Sequence, residues 1–485
     1  AAQVYTAVAE QFRKLGAKNF LFETLSSDAG ILEAVRTLKA AEPDAFVLVS
    51  FAVLPDGYTR EGLYCKDLVR RMSESGCVDA VGLNCVSAPG AMRTLARSLS
   101  STLPLSVMPN AGYPVVTRTQ VRYQGKPEYF AQELSGLAAD GVVRILGGCC
   151  GTTPAHIAAL RAALDTLPET VAPERMKEFS TPEAKPVENE DAFLRKLNAG
   201  EKVIAIELDS PRNADLTAYL EGARKLQAAG ADLLTIADCP IAQARMDSSL
   251  VACRVHRELG MCTLPHMTCR DRNLNATKAL LLGLYAEGVR EVLAITGDPI
   301  PTAERDEVKN VYQFNSRKLA QYIVSLAGEG REMPSAMTVF GALNLNARNF
   351  EVELRRAGEK LEHGMSGFLT QPVLSGQAVE NLRHAREVLG SRARILAGIM
   401  PVVSQRNAIF MENEINGIHV EEDIIRQFAG LDRAQGEELG LAISLKMARE
   451  ALPYADGFYL MTPFNRVALM ERLIARLRTE VLQES

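Results

Sequence analysis

Three cysteines stand where their thiols could bind one metal ion. Cys149 and Cys150 are adjacent within the motif Gly-Gly-Cys-Cys-Gly, and Cys85 closes the motif Gly-Leu-Asn-Cys far upstream. Three thiolates form a tetrahedral zinc site that leaves one position open for a substrate. The flanking glycines allow the backbone to turn so that neighbouring cysteines can face the same ion. Because coordination deprotonates a bound thiol near neutral pH, this pattern predicts a zinc site that activates a substrate thiol.

The same cysteines admit plainer interpretations. Cysteine is often buried as a small hydrophobic side chain, and the adjacent pair could also form a vicinal disulfide or a redox pair. Five other cysteines are interpreted only as buried hydrophobic residues: Cys65, Cys77, Cys239, Cys253 and Cys262. Thr153 and Pro154, just after the adjacent pair, are typical of an N-cap and a first helical position. The pair is therefore expected between a strand and a helix.

A second set of polar residues follows apolar segments later in the chain. Glu207 ends the run Val-Ile-Ala-Ile, His266 lies in Pro-His-Met-Thr-Cys, Asp298 in Gly-Asp-Pro, and Gln371 after Phe-Leu-Thr. A carboxyl group that ends a wholly apolar strand is costly unless it has a function. Burial can raise its pKa so that it acts as a general acid. Taken singly, Asp298 and Gln371 could be turn residues before proline, and His266 could be an ordinary partly buried histidine.

Short apolar runs that alternate with amphipathic segments predict the elements that position these residues. Eight such strands are expected after residue 190, enough for a closed (β/α)₈ barrel, or TIM barrel, whose polar strand ends share one mouth. A doubly wound open sheet is the main alternative, but no Gly-x-Gly-x-x-Gly follows an early strand. The eight predicted strands are residues 203–208, 233–237, 262–266, 291–296, 337–341, 367–370, 395–400 and 457–461.

The earlier part of the chain shows the same alternation with only five strands, at residues 19–23, 46–52, 80–84, 105–109 and 143–147. Five β/α units cannot close such a barrel, and the chain starts within a predicted helix, residues 5–15, without an initiator methionine. We therefore expect an α/β protein with two barrel-type modules in tandem, the first incomplete. The predicted boundaries are residues 1–166 for the first module, 167–190 for a Pro- and Glu-rich linker, and 191–485 for the second.

The composition excludes several classes of protein. The 485 residues include 54 Lys and Arg against 59 Asp and Glu, and no basic tract predicts binding to nucleic acid. No apolar run reaches the ~18–20 residues of a membrane span, and the start lacks the pattern of a signal peptide. Nine cysteines, an odd number, are a poor disulfide framework. We expect a cytoplasmic protein with small-molecule substrates, and no nucleic acid or membrane partner.

The first module resembles the zinc-dependent homocysteine S-methyltransferase family. The resemblance covers residues 1 to about 166 and rests on three motifs: Gly82 to Cys85, Pro109 to Gly112 and Gly148 to Ile157. It implies that Cys85, Cys149 and Cys150 bind zinc and that homocysteine completes the tetrahedron. The first three strands of the family, with residues that help to bind homocysteine, have no counterpart here. The methyl donor is left open between S-adenosylmethionine, S-methylmethionine and a folate.

The second module resembles methylenetetrahydrofolate reductase, a flavin-dependent (β/α)₈ enzyme, from about Lys202 to Leu477. The resemblance rests on Glu207 and on motifs at residues 265–269, 297–299, 370–371, 398–401 and 457–459. It implies that Glu207 is the general acid that protonates the folate N5, that Asp298 lies near the flavin and the pterin, and that Gln371 hydrogen-bonds the folate. The matching FAD-binding positions are His266, Thr296, Gly297, Asp298, Tyr312, Glu353 and Lys360.

Two positions depart from this second family. Many members have arginine where this chain has Thr296, and an aromatic residue that stacks on substrate and nicotinamide is replaced near Gln405. The order of the modules resembles bifunctional bacterial proteins that make 5-methyltetrahydrofolate and methionine. The hypothesis is reduction of methylenetetrahydrofolate by FAD and NAD(P)H, joined to zinc-dependent methyl transfer to homocysteine. The alternative is a reductase alone, with the first module a structural or docking element in a homo-oligomer.

Overall fold

The chain divides into two compact units, residues 1–183 and 184–485. The computed structural model describes residues 1–112, 114–116, 121–123, 125–141, 143–167, 190–298, 309–328, 331–414 and 417–483. Most of the predicted linker, residues 168–189, lies outside the described residues, as does Pro299 of the Gly-Asp-Pro motif. The exact boundaries of the modules therefore stay predictions, and each unit is described by itself.

The first unit contains the five parallel strands that the sequence predicts, and a short hairpin that it does not. Its strands are β1 Asn19–Leu25, β2 Phe46–Phe51, β3 Ala80–Asn84, β4 Leu105–Met108, β5 Pro114–Val116, β6 Val121–Tyr123 and β7 Ile145–Leu146. The main sheet is open and parallel, in the order β1-β2-β3-β4-β7, and β5 pairs with β6 in antiparallel fashion. The fifth predicted strand, 143–147, is shorter in the structure, where β7 pairs with β4 over two residues.

Helices alternate with these strands and cover the sheet. They are α1 Ala2–Lys14, α2 Ile31–Ala41, α3 Cys65–Glu74, α4 Pro89–Arg97, α5 Pro127–Ala139 and α6 Pro154–Asp165. In α2, Ile31, Val35 and Leu38 recur at helical spacing and are buried, as expected for one apolar stripe facing a sheet. Strand β2 is buried over its last five residues, because parallel sheets are covered on both faces.

The second unit is a closed parallel barrel of eight strands, as predicted, and the open-sheet alternative is wrong. The strands are β8 Val203–Glu207, β9 Leu233–Ile236, β10 Cys262–Thr268, β11 Glu291–Ile295, β12 Thr338–Leu343, β13 Gly367–Pro372, β14 Arg394–Ile399 and β15 Gly457–Met461. The last strand pairs with the first, Met461 opposite Glu207, and this pairing closes the barrel.

The helices of this unit are α7 Ala192–Asn198, α8 Thr217–Ala228, α9 Ser248–Leu259, α10 Leu274–Ala286, α11 Ser316–Ser325, α12 Phe350–Glu362, α13 Gly376–Leu389, α14 Gln405–Glu414, α15 Glu422–Gln427, α16 Arg433–Ala451 and α17 Val467–Glu480. Alternate strand residues fill the barrel interior, among them Val203, Ala205, Leu264 and Tyr459. Helix α7 adds Phe193 to the same cluster, where its ring lies 6.3 Å from the ring of Phe340. Among the described helices, none combines the length and the apolar character that a membrane span needs.

Candidate functional site

The three predicted metal ligands of the first unit come together. The sulfur atoms of Cys85, Cys149 and Cys150 all lie within 4.8 Å of one another, and Cys85 Sγ is 3.6 Å from Cys150 Sγ. Sulfur atoms about 2.3 Å from a tetrahedral zinc ion would be separated by about 3.8 Å. The spacing and the soft donor set therefore fit zinc. All three cysteines are free thiols, and Cys150 is exposed.

Backbone hydrogen bonds between strand ends hold these cysteines in place. The Cys85 N–H donates to Met108 O at 2.9 Å, and the Cys149 N–H donates to Pro109 O at 2.8 Å. The N–H of Ala111 donates in turn to Cys150 O at 3.0 Å. The site is thus built from the carboxyl ends of β3, β4 and β7, where parallel barrels and barrel-like sheets carry their functional residues.

The glycine after the cysteine pair has a steric role. Gly151 has φ +78°, and a Cβ placed there would lie 2.2 Å from Cγ of Tyr123. Only glycine accepts that close approach of the hairpin strand β6 over the thiols. Burial raises the pKa of the Tyr123 phenol, and so do its hydrogen bond with Cys150 and the charges of the three neighbouring cysteines.

Two asparagines near the thiols carry no role in the sequence prediction. Asn84 Nδ2 donates to Thr24 Oγ1 at 2.7 Å and lies 3.9 Å from Cys149 Sγ. The thiol of Cys85 donates to Asn110 Oδ1 at 3.2 Å. Both asparagines belong to the motifs that carry the resemblance. The available signals were the position of Asn84 directly before Cys85 and the position of Asn110 just after the end of β4.

The thiols do not ionise equally. Partial burial disfavours the Cys85 thiolate, but hydrogen bonds from Cys149, the Val86 N–H and Cys150 outweigh it and lower the Cys85 pKa. Burial and the hydrogen bond with Cys85 raise the pKa of Cys149 to about 12. A divalent cation would remove this competition, because it stabilises all the thiolates at once.

The helix after the cysteine pair starts as predicted. Thr153 is the N-cap of α6 and Pro154 its first residue, and Thr153 forms a reciprocal capping box with His156. The other ring nitrogen of His156 lies 3.1 Å from Gly125 O. His156 therefore ties the helix start to the loop that follows the hairpin.

In the second unit, Glu207 lies inside the barrel mouth at the end of β8. Tyr459 donates its hydroxyl to Glu207 Oε2, and His266 Nε2 lies 3.6 Å from the same oxygen. Burial, with the charge of Asp209 as a second cause, raises the Glu207 pKa to about 7. A carboxyl group with this pKa can hold a proton at neutral pH and release it. Tyr459 lies in a motif that the resemblance uses, but sequence reasoning assigned it no role.

His266 is neutral and buried in β10. Burial lowers its pKa to about 4, and within the described residues its Nε2 atom has no hydrogen-bond partner. A buried ring nitrogen without a partner is uncommon in native proteins and is often explained by an unseen ligand. The atom therefore fits a group bound at the barrel mouth, as the predicted FAD role of His266 requires.

The predicted positions Thr296, Gly297 and Asp298 follow β11 directly. Gly297 has φ +92°, and a Cβ there would lie 3.0 Å from Cβ of Thr268. The buried Arg270 donates from one terminal nitrogen to Asp298 O at 3.0 Å. The same guanidinium binds the Asp271 carboxylate and reaches Cys239 O at 3.5 Å. Arg270 thus ties three consecutive loops of the mouth together, a role that the sequence prediction missed.

Asp238 is the centre of a second unpredicted network. Its carboxylate accepts hydrogen bonds from the N–H and hydroxyl of Thr268, both at 3.0 Å, and from Arg272 at 2.7 Å. Arg272 also binds Asp247 at 2.7 Å. Arg270 and Arg272 come just after the Pro-His-Met-Thr-Cys motif. Their charge so close to a recognised motif was the signal that could have indicated their role at the mouth.

The remaining predicted residues lie on other parts of the mouth. Lys360 and Glu353 are on α12 as expected, with Lys360 Nζ 3.6 Å from Glu353 Oε1 and donating to Ala342 O at 2.6 Å. Burial lowers the pKa of Lys360. Gln371 lies in β13 beside the loop at Gly417, and Tyr312 is 37% exposed with φ +37°. Of these residues only Gln371 lies at a strand end, and within the part of the chain that the structure describes no hydrogen bond or ion pair joins any of them to Glu207.

Strained backbone marks the same strand ends in both units. Among the described residues, most of those with positive φ other than glycine lie within four residues of the carboxyl end of a parallel strand: Thr24, Cys85, Val86, Cys239, Phe464 and Asn465. Ala242 and Tyr312 lie farther along the loops that follow β9 and β11. Such conformations cost on the order of 1–3 kcal/mol each and cluster at functional sites. The backbone therefore independently points to the two faces that the side chains indicate.

Comparison with known families gives two matches in one chain. Residues 1–164 match the family model described as homocysteine S-methyltransferase, and residues 192–478 match methylenetetrahydrofolate reductase. The matches follow the division into two units and contain both groups of candidate residues.

Individual relatives match parts of the chain. It is 45% identical over 89 residues to methionine synthase of Mycobacterium tuberculosis, covering 18% of this chain and 8% of that protein. It is 35% identical over 150 residues to homocysteine S-methyltransferase of Escherichia coli, covering 30% and 48%. A crystal structure of the E. coli homocysteine methyltransferase in metallated form has 29% identity and a TM-score of 0.27, covering 33% and 52%. The chain spans less than half the length of these curated relatives.

Proposed function

The chain belongs to the methylenetetrahydrofolate reductase family and carries a homocysteine S-methyltransferase domain ahead of the reductase domain, and from this premise we propose that it reduces methylenetetrahydrofolate and transfers a methyl group to homocysteine. FAD would be the resident cofactor of the barrel, reduced by NAD(P)H, and zinc the metal of the first unit. The observation that carries the reductase proposal is the half-buried Glu207 carboxyl group beside His266.

The residues that would hold FAD are those that the resemblance names: His266, Thr296, Gly297, Asp298, Tyr312, Glu353 and Lys360. The unpartnered His266 Nε2 and the close approach at Gly297 support that fit. Reduced FAD supplies the hydride that turns the bridging methylene of the folate into a methyl group. Asp298 would lie near the flavin and pterin, and Gln371 would hydrogen-bond the folate.

Glu207 would supply the proton that opens the five-membered ring of the folate. Its pKa of about 7 leaves a large part of the population protonated at neutral pH. The bond between the bridging carbon and N10 breaks, and the proton ends on N10, because N5 keeps the methyl group. The expectation that Glu207 protonates N5 is corrected accordingly. His266, neutral at this pH because burial lowers its pKa to about 4, does not compete as a proton donor.

The first test is spectroscopic. The visible spectrum of the purified protein, supplemented with FAD, should show a flavin band that bleaches with NADH or NADPH without oxygen and returns with methylenetetrahydrofolate. Glu207→Gln should keep bleaching but lose the return. The matched control is Glu291→Gln, which alters another buried glutamate at the opposite end of the barrel. A flavin band that returns equally fast in Glu207→Gln would refute the assigned acid, and no flavin band would refute the reductase.

The methyltransferase proposal rests on the three converging sulfur atoms. Zinc held by Cys85, Cys149 and Cys150 would lower the pKa of the homocysteine thiol and so keep it as the nucleophilic thiolate. Asn84 and Asn110 would orient the cysteine side chains around the ion. We expect about one zinc per chain and loss of zinc in Cys149→Ser. Cys253→Ser, a change on α9 in the other unit, is the control; unchanged zinc in Cys149→Ser would refute the site.

The alternative proposal keeps the reductase and gives the first unit only a structural or docking role in a homo-oligomer. The two proposals differ in their response to Cys149→Ser. Loss of homocysteine methylation with an unchanged oligomer, measured by light scattering, supports methyl transfer. A changed oligomer without any homocysteine methylation in the wild type supports the docking role.

A further inference from the structure

Tyr459 contacts the candidate acid from β15, the strand that pairs with β8 where the barrel closes. Its hydroxyl donates to Glu207 Oε2, although the two residues are 252 positions apart in the chain. The contact exists because β15 pairs with β8 and both side chains point into the barrel interior. Tyr459 is 7% exposed, so its ring is fixed by packing.

The two oxygens of Glu207 have different surroundings. Oε2 accepts from Tyr459 and lies 3.6 Å from His266 Nε2. Within the described residues, no hydrogen bond reaches Oε1, and 21% of the Glu207 side chain is exposed. The carboxyl group therefore has one oxygen held by the barrel and one left for another molecule at the mouth.

The other charged or titratable groups around Glu207 act at greater distance. Asp209, which follows β8, is paired with Arg245 at 3.0 Å. Tyr219 of α8 donates its hydroxyl to Leu208 O at 3.1 Å. Asp238, which follows β9, is neutralised by Arg272. Among the described residues, Tyr459 is thus the hydroxyl donor that acts on the Glu207 carboxyl group directly.

We propose that Tyr459 is a positioning residue that keeps Oε2 of Glu207 as a hydrogen-bond acceptor, so that Oε1 carries the acidic proton toward the substrate. The inference rests on the proposed function, in which Glu207 is the acid. It assigns to Tyr459 a role that none of the predicted site residues fills.

The proton balance of the step is simple. The Oε1–H bond breaks and an N–H bond forms on N10, whose bond to the bridging carbon has broken while hydride adds to that carbon. The negative charge left on the carboxylate is stabilised at Oε2 by the O–H of Tyr459. Tyr459 keeps its own proton, because burial and the neighbouring Glu207 raise its pKa well above the usual range.

The test is a double-mutant cycle with Tyr459→Phe and Glu207→Gln, followed by single-turnover reoxidation of the reduced flavin by methylenetetrahydrofolate. Tyr459→Phe should slow reoxidation by about 10–100-fold, the range for a hydrogen bond to a charged group. The same change in the Glu207→Gln background should have less than about a twofold effect, since residues that act as a unit are not additive. Equal effects in both backgrounds would overturn the proposal.

A second readout does not depend on turnover. Infrared difference spectra of the carboxylic C=O band, identified by its loss in Glu207→Gln, give the pH at which Glu207 ionises. Because a donated hydrogen bond favours the charged carboxylate, Tyr459→Phe should move that midpoint to higher pH. The matched control is Tyr219→Phe, which removes a buried hydroxyl that does not contact Glu207 and should leave the midpoint in place.

The outcomes distinguish a failure of the role assigned to Tyr459 from a failure of Glu207 as the acid. A midpoint that does not move in Tyr459→Phe overturns the inference whatever the activity. Full activity of Glu207→Gln refutes the proposed acid, while the infrared midpoint still reports whether Tyr459 acts on that carboxyl group. Loss of folded protein in Tyr459→Phe is recognised by a lost flavin band and is checked with Tyr459→His, which retains a ring donor and should recover part of the rate.

Discussion

The two units place reactive groups at the same structural position, the carboxyl ends of parallel strands, but prepare them in opposite ways. In the first unit the groups are thiols at the surface of an open sheet, with Cys150 exposed. In the second the central group is a carboxyl inside a closed barrel, hydrogen-bonded by Tyr459. The thiols need a cation to become charged together, whereas the carboxyl needs burial to remain uncharged.

This contrast explains the different neighbours of the two sites. The cysteines are positioned by backbone hydrogen bonds and by the amides Asn84 and Asn110, which carry no charge to compete with a metal ion. The barrel mouth instead contains charged side chains in satisfied networks, such as Asp238 with Arg272. The barrel mouth needs these networks because its own charged side chains must be paired and must hold its loops. The cysteine cluster does not need them, because a bound metal ion would supply its positive charge.

The largest expected effect tests whether the two sites are chemically independent. Glu207→Gln should lower folate reduction by about 10²–10⁴-fold, the range for loss of a general acid, and leave zinc content and homocysteine methylation within twofold. Cys149→Ser, or removal of zinc with a chelator, should abolish homocysteine methylation and leave folate reduction within twofold. Stopped-flow flavin reoxidation and a methionine assay measure the two reactions. A loss of both activities in either variant would break the comparison.

Removal of the Arg270 side chain should show how strongly the barrel mouth depends on its charges. Arg270→Met leaves Asp271, Asp298 O and Cys239 O without their donor. The Asp271 side chain is 35% exposed, so water solvates its charge in the variant, and the lost hydrogen bonds cost about 1–3 kcal/mol. At roughly 2–4 °C per kcal/mol, calorimetry should show the melting temperature of the second unit lowered by about 2–12 °C. The melting of the first unit should not move; a shift of less than about 2 °C in the second unit would contradict the assigned role.

The stability of the second unit should depend on pH because of the raised pKa of Glu207. The Glu207 pKa is about 7 in the folded chain against 4.5 for the free side chain. Its contribution to stability is therefore fully present below pH 4.5 and is lost as the pH rises through 7. The loss is up to about 3 kcal/mol. Urea unfolding should show Glu207→Gln more stable than the wild type at pH 8 and similar at pH 4.5; equal stabilities at both pH values would sink this expectation.

The smallest effect concerns the helix that follows the cysteine pair. Thr153→Ala removes the N-cap of α6 and its capping box with His156, at a cost of about 1 kcal/mol. Zinc should then bind a few times more weakly, because Cys149 and Cys150 precede this helix start. Thr166→Ala, a change at the other end of α6, is the control. Unfolding curves with and without zinc measure the effect, and equal losses in both variants would contradict it.

Much of this fold was predictable because each strand has its own local signal. All eight barrel strands and the five parallel strands of the first unit were predicted from apolar runs, and the structure confirms them. The hairpin β5–β6 was missed because its strands have only three residues each, too few for an alternating pattern to emerge. The predicted strand 143–147 was too long because its pairing with β4 ends after two residues.

The candidate sites were predictable only one residue at a time. Glu207, His266 and the three cysteines carry signals in their own sequence neighbourhoods. Tyr459 does not, because its partner lies 252 positions away and meets it only through barrel closure. The alternation of inward residues along β15 was the available clue, since a polar hydroxyl on that face must find a partner inside the barrel. Arg270 was missed for a similar reason: its acceptors are carbonyl oxygens, which a sequence does not show.

The short helix α7 sets where the reductase part of the chain can be cut. Phe193, Leu194 and Leu197 belong to the interior cluster of the barrel, and Asp191 caps the helix through the Leu194 N–H. A shortened protein that starts at Val203 would keep all eight strands and still expose the ring of Phe340 at the amino-terminal opening. A soluble, independently studied reductase should therefore start before Asp191. In protein engineering, a domain that replaces the first unit should be joined to the chain upstream of helix α7.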